Sequence, residues 1–401
     1  MTKRKTVVIL GGSRLQVPAI MAAKKFGFHV VCADYNSNAV GFRVADEHSL
    51  TSTLDVDAIE ELARSVDANF VITSTSDAPV RVAAIVSERL GLPTGISSKD
   101  AICATQKDAM RIRLSETGIP MPEFRICNSI NEFKAALQHF EFSCIAKPAD
   151  SAASRGVKLI TSENRNLPLD ELFDYFRSFS KKGTVMIEER VIGPEVSVEA
   201  VTVNGTTSIL AITDKLTTKP PFFVELGHSE PTQLSTEIQK MICDVTRKTI
   251  ETIGIATGPS HTEIVLTEEG PKVIEIAARL GGDFITSHLV PLSTGVNIAE
   301  GSVALALGLD YDFSPSAHKG AAIKFITADK PGIIKFINIP NEVKVAAGIE
   351  DLSLYVSKND HIETPHSSND RIGHVICTGK DTQTAIKLAE WALQRVAVDI
   401  S

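Results

Sequence analysis

Residues 273–283 read VIEIAARLGGD, a run of Val, Ile and Ala that carries one carboxylate, Glu275, and one guanidinium, Arg279, into a pair of glycines. A buried charge is costly unless a partner or an ion compensates it, so this strand end requires a compensating group. HTEIVL (261–266) and KVIEIA (272–277) read as two strands joined by TEEGP. With the turn centred on Glu269, Glu263 stands directly across from Glu275 in an antiparallel pair. Carboxylates so placed repel unless a cation sits between them or one stays protonated. Oxygen-only ligands with open positions for phosphates suit Mg²⁺ better than zinc. The expectation is therefore a metal compensating Glu275 while Arg279 meets an anion; the alternative is that one Glu turns to solvent.

Two upstream segments carry related chemistry. In CIAKPADSAASRGVKLI (144–160) an apolar strand delivers Lys147, and a loop from Ser151 to Gly156 leads into the next strand. Such a small-residue loop can bring backbone amides against phosphate oxygens, or it is a plain surface hairpin. In VMIEERVIGPEVSVEA (185–200) a strand ends in Glu188-Glu189, passes Val191 and turns at Gly193-Pro194 to Glu195. Backbone groups beside Val191 with carboxylates nearby suit an adenine ring and a ribose diol; for these residues alone, a solvated acidic strand end is the better reading.

Further out, TVVIL, HVVCAD and NFVITST alternate with helical segments over the first hundred residues. Short β-runs spaced by helices imply a parallel sheet covered by helices. The GGS turn after the first strand, with Asp34 ending the second, lacks the third glycine of a dinucleotide fingerprint. A nucleotide-fold scaffold is the reading, and an NAD-dependent oxidoreductase would rest on that turn alone. SKDAICATQKDAMRIRLSETG reads as one long helix capped by Ser98 and stopped by Gly118. Asn204-Gly205 between two alternating strands signals a hairpin. The expected architecture is α/β and α+β multidomain: a Rossmann-like domain over 1–97, a central domain over 98–315 with a small subdomain at about 120–188, and a C-terminal α+β domain over 316–401.

The 41 basic and 49 acidic residues give −8 with no basic run beyond KRK, which leaves nucleic acid and anionic membranes without an electrostatic footprint. The apolar run after the basic lead is four residues, too short for a secretory signal. Six cysteines without CxxC spacing point to a reducing cytoplasm.

Lys107, Lys147 with its Ser/Gly loop, Glu188-Glu189 followed by Gly-x-Glu195, and the Glu263, Glu275, Arg279 set resemble the ATP-grasp enzymes in order and approximate spacing. The terminal units resemble the flanking domains of that superfamily's biotin carboxylase-like branch, so the resemblance spans the chain. It implies that Lys107 and Lys147 bind the α- and β-phosphates of ATP, with Ser151, Ser154 and Gly156 in the loop closing over them. Glu188, Glu189 and Val191 would contact adenine, and Glu195 the ribose. Glu263 and Glu275 would hold Mg²⁺, or Mn²⁺ in its place. Arg279 and the amides of Gly281 and Gly282 would steady an acyl phosphate and the charge developing in transfer. The family's usual Asn two residues after the second metal Glu is Ala277 here, which places the number of metal ions in question.

DKLTTKPPFFVELGHSEPTQLS (214–235) resembles the active-site loop of the bacterial L-amino acid ligases. There Glu225 would pair with an α-amino group, Arg279 with a carboxylate, and His228 would be a polar contact or proton acceptor; alternatively His228 caps the following helix. The implied reaction is ATP-dependent carboxylate–amine ligation through an acyl phosphate, on small-molecule substrates such as amino acids, with a homodimer as the family expectation. The alternatives are a purine-biosynthesis enzyme resembling phosphoribosylglycinamide synthetase, whose phosphoribosyl group would rely on Arg14, Lys24 and Lys25, and a non-catalytic ATP-binding regulatory protein, for which Ala277 is the main argument.

Overall fold

The computed structural model describes residues 4–151, 155–220 and 222–401. The apolar strand Thr6–Leu10 is fully buried and pairs in parallel with His29–Asp34 and Phe70–Ile72, with Glu47–Leu50 at the far edge. Helix Val17–Lys25 covers one face of this sheet, and helices Val56–Ser65 and Asp77–Leu90 cover the other. The amide of Gly12, in the glycine turn, donates to Asp34 Oδ2 at 2.7 Å. That turn is filled by the protein's own carboxylate.

The Ser98–Gly118 helix is shorter than its sequence suggests. Residues 98–105 form consecutive turns, and the helix spans Lys107–Glu116. Gln106 is extended (φ −132°, ψ 120°), and the amide of Lys107 is taken by the carbonyl of Ala149 at 2.9 Å. A tertiary hydrogen bond thus replaces the helical one, and Gly118, in the left-handed region at φ +67°, closes the segment.

A four-stranded antiparallel sheet follows, ordered Phe124–Cys127, Val185–Glu189, Cys144–Pro148, Lys158–Ile160. Helices Ile130–His139 and Leu169–Arg177 pack against it through Phe133, Phe173 and Phe176.

The largest sheet has eight antiparallel strands, in the order Gly270–Ala277, Gly258–Thr267, Glu195–Val203, Thr206–Thr217, Glu225–Glu230, Gly320–Ile326, Gly373–Gly379, Ile349–Leu354. It is continuous across residue 316, so strands from the last eighty residues extend the sheet that carries the acidic residues. The hairpin at Asn204-Gly205 forms, with both residues in the left-handed region (φ +49° and +81°), as a two-residue turn of the favoured hand requires. One face of the sheet buries Val196, Val198, Ala200, Ile264 and Ile276 against helix Thr236–Ile253. Among the described residues no single helix is long and apolar enough to cross a membrane, and all six cysteines are free.

Candidate active site

Alternation along Glu195–Val203 sends Val196, Val198 and Ala200 into the core, so Glu195, Ser197 and Glu199 face the opposite way. Across that face, Glu263 and Glu275 are register partners. The turn residues are Glu268 and Glu269, since Thr267 pairs with Gly270, and plain counting would put Glu263 opposite Ile274. A β-bulge corrects the register: Ile264 pairs with Val273 but Glu263 with Glu275, leaving Ile274 as the extra residue. The same bulge lets Val273 and Ile276 both enter the core while Glu275 turns to the acidic face.

What stabilises the bulge is a residue absent from the sequence reading. Arg111 is fully buried on helix Lys107–Glu116. Its guanidinium donates to the carbonyls of Val273 at 2.8 Å and Ile274 at 2.9 Å, and to both carboxylate oxygens of Glu188 at 2.7 and 3.2 Å. A planar fork with five donors suits this set. The available signal was helical spacing, which places Arg111 beside Met110 and three residues before Leu114, both buried.

Glu188 was expected at the adenine. Its carboxylate is enclosed and shared by Arg111 and Lys147, the latter at 2.7 Å. Burial alone would raise its pKa, but the two cations hold it down at about 2. Burial outweighs that same attraction on Lys147, whose ammonium falls below its ordinary value because Arg111 and Lys107 also repel it. The carboxylate is the firmly charged member of the group. Glu189 takes Lys272 at 3.0 Å and the amide of Glu123 at 3.0 Å.

The group compensating Glu275 is Lys107, 2.9 Å away, whose ammonium also donates to the carbonyl of Ser151 at 3.0 Å. Burial would lower Lys107, but Glu275, Asp77 and Glu263 together hold it above its usual value. Glu263 is met by Lys215 at 3.0 Å, and Lys215 also reaches Glu195 at 2.5 Å. Burial opposes both charges; the mutual attraction wins, so Glu263 lies well below and Lys215 well above the ordinary value. Lys215 was also missed, although its place on an alternating strand opposite Glu195 marks it. Glu195 is therefore tied to a lysine of its own sheet. His261 bridges the fully buried Glu199 at 2.5 Å and Glu263 at 3.6 Å, and despite burial Glu199 raises it to about 9.

Arg279 meets an anion, but that anion is Asp77 of helix Asp77–Leu90, at 2.6 Å. The amide of Gly281 is likewise occupied, donating to Glu199 at 3.2 Å, and a Cβ there would stand 2.6 Å from Glu199 Oε1. Its glycine makes room for the Glu199–His261 pair, which corrects the expectation of a free amide for an acyl phosphate. Around Gly282 a Cβ would meet nothing within 4 Å.

His228 is on a strand, correcting the loop expected over 214–235. Thr206–Thr217 and Glu225–Glu230 pair there, with Lys215 opposite His228. His228 is buried, its Nε2 3.4 Å from Asp283 and its Nδ1 without a partner among the described residues. Asp283 is gripped twice at 2.7 Å by Arg371 from the C-terminal region. Glu225 accepts from the hydroxyl of Ser368. Phe222 packs at a tilt against His366 with ring centroids 4.5 Å apart. Ser154 lies outside the described residues, as does Pro221. Among the described residues the buried Ser151 hydroxyl has no partner; Gly156 is left-handed at φ +75°, and Val191 sits half-buried between strands.

The donor set fits a divalent cation. Glu263 and Glu275 stand opposite one another with side chains 24% and 30% exposed, and all their donors are oxygen. Among the described residues no group of three or more His, Cys, Asp or Glu could hold a metal without outside ligands. The remaining positions would fall to substrate oxygens or water.

The carboxylates of buried Glu188 and of half-buried Glu263, Asp77 and Asp283 all sit below their ordinary pKa against neighbouring cations. Their contribution to stability is complete above the unfolded value, near 4.5 for Glu188, and is lost as pH falls towards about 2. The thermal midpoint should decline steeply across that acid window. A midpoint flat from pH 5 to 3 would contradict these pairings.

Residues 140–287 match the family described as ATP-grasp domain, and residues 324–401 match L-amino acid ligase C-terminal domain 2. The chain is 25% identical to the uncharacterized protein y4rH of Sinorhizobium fredii over 99% of its own length and 84% of that protein. It is 28% identical to the alanine–anticapsin ligase of Bacillus subtilis, over 59% of this chain and 54% of that enzyme. The L-amino acid ligase structure from Bacillus licheniformis shares the fold, with a TM-score of 0.82 over 100% of both chains at 21% identity. The chain thus carries a match to an ATP-grasp domain, followed by a match to an L-amino acid ligase C-terminal domain.

Proposed function

We propose that this ligase acts on amino acids in the cytoplasm, joining the carboxylate of one to an amine through an acyl phosphate and releasing ADP and phosphate, as a homodimer. The observation that carries this is the adjacency of two charge sets around one sheet. Lys107, Lys215, Glu263 and Glu275 make an alternating cationic and anionic surface suited to a metal-bound polyphosphate. The neighbouring strand presents Glu225 and His228, facing Asp283 and Arg371.

Lys107 and Lys147 then bind the α- and β-phosphates, the former exchanging Glu275 for phosphate oxygens. Ser151, whose hydroxyl has no partner among the described residues, and Gly156 contact those phosphates. Val191 offers backbone groups to adenine with Glu189 beside it. Glu195 reaches the ribose, and Glu188 acts by fixing Lys147. Magnesium at Glu263 and Glu275, with manganese as a substitute, would neutralise charge on the transferring phosphoryl group. Arg279, fixed by Asp77, lies four residues before Asp283 and supplies the cation for the substrate carboxylate, with Gly282 leaving open space beside it. The basic residues that a phosphoribosyl group would need are largely engaged: Lys24 with Asp46 at 3.0 Å and Lys25 with Glu300 at 2.7 Å.

The test is a panel of L-amino acids, singly and in pairs, followed by ADP release and product mass. ADP and a condensed product from at least one pair is the expected result; no ADP above background from any pair would sink the reading. Among the described residues Glu225 accepts one hydrogen bond, from the Ser368 hydroxyl, so its carboxylate can still meet an ammonium. Glu225→Ala should therefore change the accepted amino acids, with KM rising about tenfold or more for those still used. An unchanged substrate profile would remove Glu225 from the pocket.

A further inference from the structure

The C-terminal strands carry a polar chain to which the reaction above gives no task. His374 is enclosed, with Nε2 2.9 Å from Asp351 Oδ2 and Nδ1 2.5 Å from the hydroxyl of Tyr355. An ionised carboxylate only accepts hydrogen bonds. Nε2 therefore carries the ring proton, and Nδ1 is a bare acceptor for the phenol. Burial would raise Asp351, but His374 and Ser353 hold it low and ionised. Burial draws His374 below its ordinary value, which favours neutral imidazole, and pushes Tyr355 up to about 12, which keeps the phenol protonated.

This polar chain ends beside the Arg371–Asp283 pair. The amide of Tyr355 donates to the carbonyl of Ile372 at 2.9 Å, beside Arg371, which grips Asp283. Phe284, next in sequence to Asp283, packs at a tilt against the His374 ring with centroids 4.3 Å apart. Asp283 and Phe284 are both left-handed (φ +51° and +64°), a conformation uncommon outside glycine and asparagine. The backbone after Gly281-Gly282 is thus turned to set these two side chains against the C-terminal groups. Tyr355 is 45% exposed, whereas His228 lies buried behind Asp283. The charged and titratable groups around the chain are Arg14 from the first domain, His288, Asp283, and Arg371 with Glu225 beyond it.

We propose that Tyr355, His374 and Asp351 form a proton relay that deprotonates the incoming amine, a role that rests on the ligase reading. An amino group arrives as ammonium and has no lone pair for attack. The Tyr355 oxygen accepts one ammonium proton while passing its own to His374 Nδ1, and Asp351 stabilises the imidazolium. The freed lone pair forms the C–N bond at the acyl carbonyl, the C–O bond to phosphate breaks, and phosphate leaves with that electron pair. The remaining extra proton on nitrogen departs with the phosphate. Tyr355 touches the substrate and is catalytic, His374 is its proton acceptor, and Asp351 is a positioning residue.

The test compares two nucleophiles in Tyr355→Phe, which keeps the ring against His374. An L-amino acid amine needs deprotonation, whereas hydroxylamine is largely unprotonated at neutral pH. Peptide formation should fall about 10²-fold or more, while hydroxylamine rescues turnover as aminoacyl hydroxamate at the wild-type rate. The residual peptide rate should rise with pH alongside the free-amine fraction. Equal losses with both nucleophiles would indicate a packing role and overturn the relay, as would full retention of both. Absence of hydroxamate from wild-type protein across the L-amino acid panel would instead overturn the ligase reading, and the relay with it.

Discussion

Glu275→Ala is expected to reduce ADP formation by about 10³-fold, the scale of removing a fixed charge aimed at a transferring phosphoryl group, while leaving the fold standing. Glu275 has three neighbours that decide the outcome: Lys107 at 2.9 Å, Glu263 across the strand pair, and Ala277 two residues on. Ala277 supplies no oxygen, so this site has less redundancy than one with a third side-chain donor. Removing Glu275 leaves one carboxylate for the ion. The fold survives because the side chain is only part-buried, and because Lys107 keeps the carbonyl of Ser151 and the field of Asp77 and Glu263. Steady-state ADP release at saturating magnesium and a thermal melt together test this. A variant with normal turnover would refute the metal assignment. A variant that fails to fold would show that the Lys107 pair is structural.

Arg111→Ala is expected to have the opposite profile, a large loss of stability with activity lost as a consequence. Truncating one partner of a buried ion pair costs about 3–5 kcal/mol, because the other charge stays buried and uncompensated. Here Glu188 would keep only Lys147, whose own charge burial already disfavours. The carbonyls of Val273 and Ile274 would also lose their donors. Since the bulge at Ile274 sets Glu263 opposite Glu275, disorder there also removes the metal geometry. Arg111→Lys keeps the charge but not the fork, so it should recover only part of the loss. Urea unfolding of both variants is the measurement. A wild-type midpoint for Arg111→Ala would mean that the bulge is held by the strand pairing alone.

The carboxylate pair was legible in the sequence, but for a partly mistaken reason. Counting from a turn centred on Glu269 gave the right partners, yet the turn is centred half a residue earlier and a bulge makes up the difference. Sequence alternation does not encode a bulge, because the extra residue is held by Arg111 from a helix more than 160 residues away. The long helix from Ser98 failed similarly. Its polar and apolar spacing suits a helix, but the carbonyl of Ala149 takes the amide of Lys107 and the chain turns there. His228 was placed in a loop because Pro220, Pro221 and Gly227 surround it, while backbone pairing with Lys215 and Ile323 makes it strand.

By itself the sequence determined the local elements: parallel strands in the first unit, the Asn204-Gly205 hairpin, the Lys147 strand and the acidic strand end at Glu275. These follow from side-chain periodicity and backbone preference, which act over a few residues. The tertiary structure alone decided which charge meets which: Lys107 with Glu275, Lys215 with Glu263, Arg279 with Asp77, Arg371 with Asp283. Each of those pairs joins residues about fifty to two hundred positions apart. Coulomb attraction and desolvation depend on distance and burial in space, and neither quantity exists until the sheet has formed.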